Sequence, residues 1–181
     1  MTDTDYIVPD YRPQFEYMRE FTEVHLLAIG KVATRWSHLE QTLAMGLWRV
    51  AGLDNKTGMC LTGQIPNSAR MLDALLALSH LRGASATLLR NTKRFAEKTL
   101  GLQEQRNRVV HDVWTFGPGL ISRWPLTARK VVADEPVQVT TDEVERFADT
   151  IDRHERALIR LLHSLYCELG HPGYNSENAR P

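Results

Sequence analysis

The chain has 181 residues, 43% of them hydrophobic, with 22 Lys and Arg against 22 Asp and Glu. That length suits one domain with a real core, and zero net charge argues against a general nucleic-acid coat. No apolar run reaches bilayer length, and the acidic start MTDTDYIVPD lacks the basic-then-apolar layout of a secretory signal. Cys60 and Cys167 form no CxxC pair, so the expectation is a cytoplasmic protein without membrane contact, structural disulfide or metal.

Residues 1–13, with Pro9 and Pro13, lack periodicity and read as an N-terminal arm. A long helix should follow, because Phe21, Val24, Ala28, Val32, Trp36, Leu39, Leu43, Leu47 and Val50 recur every three or four positions. Gly52 and Asp54-Asn55-Lys56 fit its end. Residues 53–66 read as a connector with room for a helical turn at 57–62. Pro66, Asn67 and Ser68 open a second main helix carrying Met71, Leu72, Leu75, Leu76 and Leu78 and ending near Gly83. A third runs from about Ser85 to about His111 on the stripe Leu88, Thr92, Phe95, Thr99, Leu102, Arg106, Val109.

The pattern then changes. Val113 to Phe116, Gly117-Pro118-Gly119 and Leu120 to Trp124 read as strand, turn and strand, with more extended chain at 130–132 and 137–139. Thr140 and Glu143 form a capping box opening a fourth main helix on Val144, Phe147, Ile151, Leu158, Leu162, Leu165 and Leu169. Gly170 closes it, and 170–181 reads as a loose tail.

The chemistry concentrates in Arg106-Asn107-Arg108-Val109-Val110-His111-Asp112. Arginine is a permanent forked cation suited to phosphate oxygens; histidine exchanges a proton near neutral pH. Arg106 interrupts an otherwise uncharged seam and so needs a partner, a ligand or an interface. Charge is distributed accordingly: residues 81–131 hold ten Lys/Arg against three acids, residues 1–80 seven against nine, and 132–181 five against ten. Five positions apart on an ideal helix, Arg106 and His111 lie about 140° from each other. Either the helix ends at His111 and lets the imidazole swing round, or a two-fold dimer brings two such helices together. A purely structural reading also stands: Arg106 paired with Glu40 or Glu104, and His111 placed by the helix dipole.

The string RNRVVH, late in a third helix, resembles the signature of the HEPN superfamily. Trp36-Ser37-His38-Leu39-Glu40-Gln41-Thr42-Leu43 is similar to that family's aromatic-x-x-Leu-Glu-x-x-Leu core in the first long helix. The likeness covers roughly residues 20 to 170. It implies an all-α, HEPN-like up-and-down bundle of four main helices, with a small β-hairpin (112–139) between the third and fourth, in one domain spanning 1–181. It further implies a homodimer with the motif lining the interface cleft, and metal-independent cleavage of RNA by 2′-hydroxyl attack, without cofactor, as in toxins or phage-defence effectors. Arg106, Asn107 and His111 would be catalytic. By their positions in the chain, Glu40 is expected either to hold Arg106 or to stand on the surface, Arg108 to touch phosphate, and Asp112 to orient the imidazole or cap the following turn. A toxin branch pairs with a nucleotidyltransferase antitoxin and carries a modifiable tyrosine two residues after the histidine; Val113 stands there instead, which puts that modification in doubt. The alternative is a non-catalytic dimerising or adaptor module binding a protein or RNA.

Other constellations are incomplete. His163 and Cys167 could be half of a metal site with no second half. There is no G-x-x-x-x-G-K-[ST] loop and no G-x-S-x-G elbow. Trp114 reads as core rather than as a base-stacking platform. His25, His38, His80, His154 and His171 read as surface residues.

Overall fold

The computed structural model describes residues 22–117, 120–124 and 136–170. Its elements are α1 (Glu23–Ala51), α2 (Asn55–Thr62), α3 (Ser68–Leu81), α4 (Ala86–His111), β1 (Val113–Gly117), β2 (Leu120–Trp124), β3 (Val137–Gln138) and α5 (Thr141–Leu169). The protein is mostly helical, with a three-stranded antiparallel sheet in the order β1-β2-β3. The expected arm at 1–13, Phe21 at the head of the first helical stripe, the Pro118-Gly119 part of the expected turn, the extended stretch at 130–132 and the tail beyond Gly170 lie outside the described residues.

The helices begin and end where local chemistry dictates. Thr22, Asp54, Asn67, Ser85 and Thr140 each accept a first-turn backbone N–H, which satisfies donors that a helix leaves open. At Thr140 the capping box with Glu143 is complete. Gly52, at φ 74°, ends α1 in the left-handed conformation.

Contacts fix the helix directions. Lys31, Arg35 and Thr42 of α1 meet Glu145, Asp149 and Glu155 of α5 in rising order, so α1 and α5 are parallel. Thr99 meets His154 and Ser85 meets Glu168, so α4 runs antiparallel to α5. Ser68 bonds Gln103 near the far end of α4, which makes α3 antiparallel to α4 and parallel to α1. The four long helices therefore do not alternate simply up and down; alternation holds only when α2 is counted. Capped by Asp54, α2 turns back along α1, and its Gly58 lies so close to Trp48 that a Cβ there would stand 2.3 Å from the indole. The indole N–H donates to Thr62 at 3.0 Å, seating α2 on α1.

The core follows the helical stripes, with Trp36, Leu39, Leu43, Leu72, Leu75, Ile151, Leu158 and Leu165 essentially sealed. Each contributes about 1.5–3 kcal/mol of apolar burial. Two histidines correct the surface expectation. His25 is 0% exposed and takes the inward position assigned to Val24, which is 61% exposed. It meets Trp114 edge-on at 4.6 Å between ring centroids. His154, 4% exposed, stacks on Phe95 at 4.1 Å and shares a hydrogen bond with Thr99 at 2.8 Å. Both are amphipathic rings whose polar atoms can be served inside.

Burial, with a smaller contribution from Lys98, holds the His154 imidazole down at about 4. The unfolded chain binds a proton near 6.5, so it gains protons first as pH falls. Stability is therefore complete above about pH 6.5 and declines toward pH 4, by up to about 3 kcal/mol from this residue. Burial shifts His25 in the same direction. Urea titrations across that window should show a falling midpoint, and His154→Gln should flatten the fall. An unchanged slope in that variant would remove His154 from the acid response.

Candidate functional site

Three contacts fix the end of α4. Asp112 leaves the helix in an extended conformation while its N–H donates to the Arg108 carbonyl. The Trp114 indole N–H donates to the Val109 carbonyl at 2.9 Å, satisfying a last-turn acceptor. The Asp112 carboxylate meets Arg123 Nη1 of β2 at 2.6 Å, with side chains only 4% and 13% exposed. The hairpin, in register Val113↔Trp124 and Trp114↔Arg123, is thus clamped to the helix terminus.

On this anchored end Arg106 Nη1 lies 3.1 Å from Asn107 Oδ1 and 3.3 Å from His111 Nε2. The three motif residues come together within one chain. The helix ends at His111, and the long guanidinium arm reaches round to it, so the 140° separation is bridged without a second copy. A guanidinium only donates, so the contact requires a lone pair on His111 Nε2 and places the imidazole proton on Nδ1. Arg106 is half-buried, whereas Asn107 and His111 are exposed. Arg106 Nε is buried with no hydrogen-bond partner among the described residues. The fork therefore holds His111 with one nitrogen and keeps unspent donor capacity beside it.

The supporting residues divide. Arg108 is exposed one position from Asn107, free to meet an anion. Asp112, expected to orient the imidazole or cap the turn, puts its carboxylate on Arg123 and acts as the hairpin clamp. Glu40 does not hold Arg106. It lines a groove between α1 and α2 with Met59 and Thr62. Its neighbour Thr42 is level with Glu155, one residue from the His154–Thr99 contact, and seven residues from Thr99 to Arg106 is about 10 Å of helix. Among the described residues no carboxylate pairs with Arg106. Trp114 is buried, as its strand position suggests.

His163 and Cys167 approach to 3.7 Å on α5, but no group of three metal-ligating side chains occurs among the described residues. No helix of the described residues is long and apolar enough to cross a membrane. No family model, curated protein or solved structure matches the chain. The geometry of the α4 end adds Arg123, which the sequence alone did not single out; its only signal was an arginine in the strand facing an acid at the helix end.

Proposed function

We propose that the chain is a metal-independent endoribonuclease with a HEPN-like fold, cutting RNA through attack by the ribose 2′-hydroxyl on the adjacent phosphorus. The observation that carries this reading is the 3.3 Å contact between Arg106 Nη1 and His111 Nε2 on an exposed, rigidly anchored helix end. A phosphate docking at Arg106 competes for its donors, drawing the guanidinium off the imidazole and freeing the Nε2 lone pair. His111 then takes the 2′-hydroxyl proton, and Arg106 stabilises charge growing on the phosphoryl oxygens. Asn107, accepting from Nη1, holds the fork in place. The 5′-oxygen leaves, and the product carries a 2′,3′-cyclic phosphate.

One chain supplies one histidine, and the leaving oxygen needs an acid. A homodimer supplies it from the second copy. Val113 and Trp124, cross-strand partners that are both exposed beside His111, offer an apolar contact for that copy. The same patch favours the second reading, an adaptor that docks a protein or RNA without cutting it. A toxin or phage-defence role, with an antitoxin or nucleotidyltransferase partner, is a further expectation of the family likeness.

The test is incubation of the full chain, in EDTA, with RNA and with DNA of the same sequence. RNA should be cut to cyclic-phosphate ends while DNA, lacking the 2′-hydroxyl, stays intact. Cleavage of both at similar rates rules out the mechanism, and intact RNA across single-stranded and structured substrates favours the adaptor.

A further inference from the structure

The α5 helix belongs to the acidic part of the chain by linear count, yet its charges are sorted by face. Glu145 and Asp149 pair with Lys31 and Arg35 of α1, Glu155 accepts from Thr42, and Asp152 holds Arg156. Arg146, Arg153 and Arg160 are left on another line. They are seven residues apart, close to two helical turns, and so share one flank. All three are exposed, and no described carboxylate forms an ion pair with any of them. Arg153 donates to Thr150 in its own turn and lies close enough to Asp149 to favour its charged form, as Arg146 does for Glu143, without a direct ion pair in either case.

At Arg160 that flank borders α4. A groove between the two helices is lined by Asn91, Arg94 and Phe95 on one side and Ala157, Arg160 and Ser164 on the other. The Thr99–His154 and Ser85–Glu168 contacts lie the same fourteen residues apart on both helices, which sets an antiparallel register. Arg160 is thereby level with Lys93, one residue from Arg94, while Arg153 is level with Leu100 and Arg146 with Asn107. Lys98 acts electrostatically on His154 and so belongs to the same flank. Arg94 and Lys98 are exposed and free of ion pairs among the described residues.

We infer that the α4–α5 groove is a track for the sugar-phosphate backbone of single-stranded RNA, running from Arg94 and Arg160 past Lys98 and Arg153 to Arg146 and the Arg106–His111 end. This rests on the nuclease reading and names the path of its substrate. The unpaired cations span fourteen residues of α5, about 21 Å. Packed helices stand about 8–10 Å apart, a furrow that takes one strand and not the width of a duplex. Cations that follow a backbone supply affinity without reading sequence.

The test uses the full chain and a fluorescent 2′-O-methyl oligoribonucleotide, which binds but cannot be cut. Anisotropy titrations over a range of KCl compare the wild type with the Arg153→Ala/Arg160→Ala pair. Affinity should fall about tenfold, and the slope of log K against log salt should shrink by about 1.4, 0.7 for each lost phosphate contact. Arg153→Lys/Arg160→Lys should restore most of the slope, and Arg70→Ala on α3 should change neither quantity. Thermal melts verify that each variant is folded; the Arg94→Ala/Lys98→Ala pair provides the same readout from the other wall. Unchanged affinity and slope in both alanine pairs overturn the track. Loss of binding to anionic vesicles, with RNA binding intact, also overturns it. Cleavage of ordinary RNA is scored separately. A wild type that binds with this salt signature but never cuts keeps the track and removes the nuclease reading. A wild type that cuts, with KM unmoved by either pair, does the reverse.

Discussion

His111→Ala is expected to reduce RNA cleavage by about 10²–10⁴, the range for losing a positioned general base. His111 is exposed at the last residue of α4, so its removal leaves no cavity and the fold should be unaffected. Binding of an uncleavable RNA should therefore stay near wild type while turnover collapses. Arg106→Ala should cost a comparable factor, about 10²–10³, through lost stabilisation of phosphoryl charge. Arg106→Lys should recover little of it, because a point charge cannot bond Asn107 and His111 while also presenting free donors to phosphate. The measurement is single-turnover cleavage in EDTA with end-group analysis. Cleavage by His111→Ala at the wild-type rate would place the activity elsewhere and remove the central claim.

The second large effect concerns the clamp. Asp112→Ala leaves Arg123 with its charge largely buried and its 2.6 Å partner gone. Breaking a buried pair from one side typically costs about 3–5 kcal/mol, because the remaining charge is uncompensated. Urea denaturation should register a loss of about 3 kcal/mol. Cleavage should also fall, because the clamp helps keep the end of α4 and His111 in place. Asp112→Ala/Arg123→Met should recover most of the stability, since an apolar pair of similar volume can replace a buried ion pair. If the single variant lost under about 1 kcal/mol, within the range of exposed pairs, the clamp would be only a surface bridge.

Much of the fold was written in local pattern. Helix ends at Gly52, Ser85, Thr140 and Gly170, and the two strands after Asp112, follow from caps and periodicity, each decided within a few residues of chain. The reversal made by α2 was less legible. Eight residues with a short apolar pattern look like a connector, and Gly58 matters only because Trp48 is brought against it. The inward turn of His25 was likewise hidden. A period of 3.6 cannot separate Val24 from its neighbour when both could serve the same stripe, and Trp114 and Thr141, which meet His25, are remote in sequence.

The sequence by itself determined which residues could do chemistry: RNRVVH, and its place at the end of a long helix. It could not bring Arg106 to His111, because their ideal angular separation argues against contact. The tertiary structure decided that, by ending α4 at His111 and anchoring it through Trp114 and the Asp112–Arg123 pair. It also removed Glu40 from the site, since the level of a residue along a bundle depends on how the helices slide past one another. The arginine line of α5 is the clearest case of both. Its spacing of seven is present in the sequence, but that Arg160 lines a groove against α4, while Glu145, Asp149 and Glu155 meet α1, follows from packing alone.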